Sequence, residues 1–99
     1  MAESIVKAVY FRGKTGQEEE LSNRLRTLVQ ASRLDAGVTT FDLHRSAEDP
    51  ASWFLYERYE SEEHFNQHSK NPIVRSFLAD TPTLLDGKLE VKTFKVIDV

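Results

Sequence analysis

Phe54-Leu-Tyr-Glu-Arg-Tyr-Glu-Ser-Glu-Glu-His-Phe-Asn-Gln-His68 reads as an apolar strand, a capped turn and a helix. Glu57 is a carboxylate set among large apolar side chains, and a charge in such a run is costly unless it is paired or put to use. His68 lies eleven residues on, in the following helix. If the turn at Ser61 folds that helix back over the strand, Glu57 and His68 line one apolar cavity and form an acid–base pair in it.

The flanking sequence supplies the rest of the architecture. Residues 5–11 are β-rich and short, a strand. Thr15-Gly-Gln-Glu18 has the form of a capping box, followed by Glu19 and Glu20, where a helix N-terminus favours negative charge. Leu21, Leu25, Leu28, Val29 and Ser32 recur at helical spacing, with the helix stopping near Leu34 and Gly37 as terminator. Residues 38–45 form a second strand, Glu48-Asp-Pro-Ala51 a hairpin turn, and residues 53–60 a third strand. Ser61 caps the next helix; Asn71-Pro72 breaks and restarts it, and Thr81-Pro82 ends it. Residues 89–97 give a fourth strand. The order β-α-β-β-α-β specifies an α+β, ferredoxin-like fold: an antiparallel four-stranded sheet with the helices on one face. Yet the strands carry apolar residues on both faces, Trp53 and Leu55 against Phe54 and Tyr56, and Ile5, Val9 and Phe11 against Val6, Ala8 and Tyr10. A sheet with one wet face alternates more cleanly, so the second face is expected to be covered by another copy of the chain in a twofold homodimer.

Composition narrows the function classes. Ninety-nine residues, 39% hydrophobic and 29% charged, make one soluble globular domain, residues 1–99. A net charge of -3 gives no electrostatic case for nucleic acid or an anionic membrane. The absence of cysteine removes disulfides, thiolate metal sites and a cysteine nucleophile. No apolar run approaches a membrane span, and Met-Ala-Glu-Ser has no signal-peptide core, so a cytoplasmic location is expected.

Each candidate residue carries two readings. Glu57 is either a base or hydrogen-bond acceptor inside the cavity, or one half of a structural ion pair with an arginine such as Arg75. His68, three residues after Phe65, is either an acid–base group facing the core or a helix C-terminal histidine favoured by the dipole. His64 and His68 have the i, i+4 spacing of metal ligands, with Glu57 as a third, but such pairs arise by chance and no metal is expected. Gly13-Lys-Thr15 lacks the earlier glycine of a phosphate-binding loop and is read as a turn.

Phe54-Leu-Tyr-Glu-Arg-Tyr, then Ser61, Phe65, His68 and Pro72, together with Asp35-Ala-Gly37 and Phe41, resembles the antibiotic biosynthesis monooxygenase domain family, which includes small quinol monooxygenases and a related isomerase. The resemblance implies a dimeric α+β barrel with a pocket between sheet and helices in each subunit. It also implies that Glu57 and His68 match the family's strand glutamate and helix histidine. The expected activity is cofactor-independent monooxygenation of a quinol or other electron-rich aromatic small molecule by O2. His68 handles the proton, Glu57 orients it or accepts a hydrogen bond, and Phe41, Leu55, Tyr59, Phe65 and Phe77 shape the walls. Haem-degrading relatives need an iron-binding histidine where Leu78 stands here, so no cofactor is expected. The competing expectations are a cofactor-free isomerase acting by enolisation and a dimeric ligand-binding or stress-associated protein without catalysis.

Overall fold

The computed structural model describes residues 3–99. Its elements are β1 (Ile5–Arg12), α1 (Glu18–Ser32), β2 (Val38–Arg45), β3 (Ser52–Tyr59), α2 (Glu62–His68), α3 (Pro72–Leu84) and β4 (Glu90–Lys95). The strands form one antiparallel sheet in the order β2-β3-β1-β4. This is the expected ferredoxin-like arrangement, with the second helical segment divided in two at Asn71-Pro72. Among the described residues no helix is long and apolar enough to cross a membrane.

Register decides which side chains meet beneath the helices. Strand β3 alternates without a break: Trp53, Leu55, Glu57 and Tyr59 are buried, while Phe54, Tyr56 and Arg58 are half-buried on the opposite face. Lys7 and Phe41 stand opposite Glu57 on its two neighbouring strands, and Thr93 stands opposite Lys7 on β4. A row Phe41–Glu57–Lys7–Thr93 therefore crosses all four strands on the face that the helices cover. Around it, Leu21, Leu25, Leu28, Phe77 and Leu84 from the helices pack on Val9, Phe11, Phe41 and Leu55 from the sheet. The other face carries a ladder of stacked rings, Tyr10 on Phe54 at 5.0 Å and Phe54 on His44 at 5.1 Å between centroids.

Two local expectations are corrected. The capping box at Thr15 does not form. Helix α1 begins later, with Gln17 at the N-cap making no side-chain bond, and the Glu18 carboxylate accepts the backbone N–H of Gly16 at 3.0 Å. Helix α1 ends at Ser32 with Arg33 as its C-cap, near Leu34 as expected, and the N–H of Leu34 turns back to the carbonyl of Ala31, one residue short of helical spacing. Proline 82 lies inside α3, which continues to Leu84. A proline there deprives the carbonyl four residues earlier of its partner. Here that carbonyl belongs to Leu78, and the Thr81 hydroxyl donates to it at 2.9 Å, so the helix survives its own breaker.

Gly37 sits at φ +78° in the turn into β2, where a Cβ would also overlap the imidazole of His64. Gly37→Ala should cost about 2 kcal/mol or more in urea unfolding. Adding His64→Ala should recover the imidazole ring's share of the overlap, but not the share from the His64 Cβ, which stays 2.6 Å away, nor the backbone share, a non-additivity that a double-mutant cycle reads directly. Fully additive effects would contradict the contact.

Candidate active site

A cavity of about 130 Å³ lies between the sheet and the helices. Val9, Leu28, Phe41, Leu55, Phe65, Val74 and Phe77 give it apolar walls, and its polar groups are Lys7, Glu57, His68 and Ser69. Leu78 and Val91, both about half exposed, border it where it opens.

Local sequence places the imidazole. Ser61 caps α2 by accepting the N–H of His64 at 3.2 Å. His68 follows Phe65 by three positions, on the same helical face, and closes α2. Asn71 then serves two helices. Its Oδ1 accepts the N–H of Ile73 at 2.9 Å and caps α3, while its Nδ2 donates to both carboxylate oxygens of Asp35 at 3.1 Å. The Asp35 carboxylate so held accepts a hydrogen bond from His68 Nδ1 at 2.9 Å. A carboxylate only accepts, so the neutral imidazole carries its proton on Nδ1 and leaves Nε2 as a lone-pair acceptor. His68 is 4% exposed, its ring packs at 5.4 Å from Phe41 and 5.3 Å from Tyr59, and it borders the cavity.

Glu57 lies across the cavity floor, 6% exposed, and accepts the Tyr59 hydroxyl at 2.6 Å. Burial raises its carboxyl to about 7; the Tyr59 hydrogen bond and the charge of Lys7 pull the other way and are outweighed. The Tyr59 phenol is pushed far up, by burial first and then by the adjacent carboxylate, and stays a hydrogen-bond donor. Lys7 is itself buried. Its Nζ donates to Thr93 Oγ1 at 2.8 Å and lies 4.2 Å above the centre of the Phe65 ring.

The cavity brings together His68, Glu57, Phe41, Leu55, Phe65 and Phe77. Tyr59 is placed differently from expectation: it is fully buried, does not border the cavity, and stands behind Glu57 with its edge against Phe65. The arginine partner expected for a structural Glu57 is corrected too: its hydrogen bond comes from Tyr59, and Arg75 is exposed. His64 does not join His68 and Glu57. Its Nδ1 faces Ser61 Oγ at 2.7 Å, and no group of three or more His, Cys, Asp or Glu side chains is placed to hold a metal among the described residues. Sequence reasoning missed Lys7 and the partnership of Asp35 with His68. A lysine in the middle of Ile5-Val6-Lys7-Ala8-Val9 is the same signal that singled out Glu57, a charge inside an apolar strand. Asp35 gave no such signal, because its partner is thirty-three residues away.

This chain belongs to the antibiotic biosynthesis monooxygenase family, whose model matches residues 4–80. A Bacillus subtilis protein, "Putative monooxygenase YcnE", is 26% identical over 87 residues, 88% of this chain and 92% of that protein. An uncharacterized Synechocystis protein, sll1783, is 22% identical over 95% of this chain, which spans only 64% of its length. The crystal structure of PA3566 from Pseudomonas aeruginosa superposes with a TM-score of 0.91 at 21% identity, over 99% of this chain and 98% of that one, a likeness of fold.

The raised Glu57 carboxyl makes a signed prediction. Between about 4.5 and 7 the folded state holds a proton there that the unfolded chain releases, so stability is full below that window and falls as pH rises through it. The loss is on the order of 3 kcal/mol. Glu57→Gln keeps an acceptor for Tyr59 and cannot ionise, so its unfolding free energy should lack this fall. Parallel curves for the two proteins across the window would contradict the burial argument.

Proposed function

We propose that this chain is a monooxygenase that works without a bound cofactor on a quinol or another electron-rich aromatic small molecule. Family membership supports the reaction class. The observation that carries the chemistry is the Asp35–His68 pair at the border of the cavity, in which a neutral imidazole keeps its proton on Nδ1 and has Nε2 as its acceptor, together with a carboxyl in the same cavity whose ionisation lies near neutrality.

In this reading, His68 Nε2 takes the proton of a substrate hydroxyl and Asp35 stabilises the imidazolium that results. The electron-rich anion then reduces O2 directly. One oxygen atom enters the ring, the other leaves as water, and the substrate supplies all four electrons. Glu57 holds or returns a proton at the opposite side of the ring. The apolar walls exclude water, which strengthens each of these electrostatic contacts.

The functional unit in this proposal is a homodimer formed through the ring ladder. Tyr10 and Phe94 remain 39% and 49% exposed on a face that already buries Val6 and Ala8. A face of this kind is suited to a second copy.

Oxygen uptake with candidate quinols tests the reaction. His68→Ala should lower kcat about 10²–10⁴-fold. Asp35→Asn should lower kcat with KM nearly unchanged and shift the pH–rate profile, because an amide N–H can turn toward Nδ1 and drive the imidazole proton to Nε2. An unchanged rate in His68→Ala removes that residue from the chemistry, and substrate conversion without oxygen uptake replaces oxygenation by isomerisation. Separately, sedimentation should give twice the chain mass for the wild type and the single-chain mass for Phe94→Asp; a monomeric wild type contradicts the dimer.

A further inference from the structure

The acid–base scheme leaves one charged group of the cavity without a role. Lys7 is 8% exposed, in the centre of β1, and a buried ammonium is costly unless its hydrogen bonds are met. It has three N–H donors. One goes to Thr93, a neutral hydroxyl, and the Phe65 face receives the charge without a directed bond. Glu57, directly opposite in register, takes its hydrogen bond from Tyr59 instead. Among the described residues, Lys7 thus borders an apolar cavity with donor capacity to spare and no carboxylate hydrogen-bonded to it.

We propose that Lys7 Nζ is the anchor for the ionised hydroxyl of a single-ring phenolic ligand, with the ring held between Phe41, Leu55 and Phe77. This rests on the cavity's taking an aromatic small molecule, and it does not depend on oxygenation. Size sets the ring count: the cavity holds about 130 Å³, and an apolar cavity of roughly 150 Å³ takes one benzene. Larger ring systems reach beyond it, and a ligand substituent that leaves the cavity has the half-exposed Leu78 and Val91 at its border to pass. Chemistry sets the anion. A ligand carboxylate would bring two further oxygens against the Glu57 carboxyl beside Lys7. A phenolic oxygen is a single acceptor that faces the ammonium and can also accept a proton bond from Glu57. The contact is a charge-assisted hydrogen bond in a site screened from water, the setting in which such bonds are strong.

Binding to the wild-type protein, followed by calorimetry, tests the assignment with three probes of matched shape: 4-nitrophenolate, neutral 4-nitrotoluene and 4-nitrobenzoate. The phenolate should bind about 10–100-fold more tightly than the neutral probe, the worth of one hydrogen bond to a charged group. It should also bind more tightly than the benzoate. Lys7→Met keeps the apolar stem and should erase the preference, and Lys7→Arg should restore part of it. Equal binding of phenolate and neutral probe, tighter binding of the benzoate, no binding of any probe, or a preference that survives Lys7→Met each overturns the assignment. If Lys7→Met does not fold, the wild-type comparison alone decides. Oxygen uptake without a phenolate preference ends this inference and leaves the monooxygenase reading standing; a preference without uptake does the reverse.

Discussion

A carboxyl group buried on the helix-covered face of β3 constrains everything built around it. Glu57 cannot face water, because the strand's alternation points it inward, and it cannot ionise freely among Leu55, Phe41 and Phe65. The fold answers with a donor from two residues along the same strand, the Tyr59 hydroxyl, and with a lysine one strand over. Neither restores the ordinary carboxylate range, since burial dominates and holds the group near neutrality. The consequence is chemical as well as structural. A carboxyl poised near 7 can take or give a proton at physiological pH, which an exposed glutamate does poorly.

The opposite wall of the cavity is organised by the break in the second helical segment. One asparagine fixes both the start of α3 and the Asp35 carboxylate that orients His68. The imidazole's tautomer therefore depends on the cap that restarts the chain as a helix. Continuing α2 through Asn71 would lose the cap and loosen Asp35 together. This coupling gives a physical reason for a helical break placed three residues after the proposed base, in a segment that could otherwise run on as one helix.

The elements of this fold were largely legible because their signals are local. The β2 strand lies where its apolar and β-branched residues place it, and the caps at Ser61 and Asn71 form as their spacing requires. The errors came where a second, unread partner overrode the local rule. Pro82 failed to end α3 because Thr81 replaced the missing donor. Thr15 failed to cap α1 because the turn at Gly16 took Glu18 for itself. The candidate site was legible as two residues on one cavity, since Glu57 and His68 do share it. Its depth was not. Tyr59 belongs behind Glu57, not on the cavity surface, and Lys7 and Asp35 enter through strand register and a long-range contact that no local window contains.

Family membership and fold fix the scaffold, and the proposed chemistry rests on the charged groups in the cavity. All of that chemistry presupposes that the Glu57 carboxyl is truly withdrawn from water. Carbon-13 NMR of the Glu57 side-chain carboxyl, followed as a function of pH, reads this directly. The account predicts a midpoint near 7, well above the ordinary 4.5. A midpoint at the ordinary value would mean a solvated carboxylate, and the acid–base cavity would lose its floor.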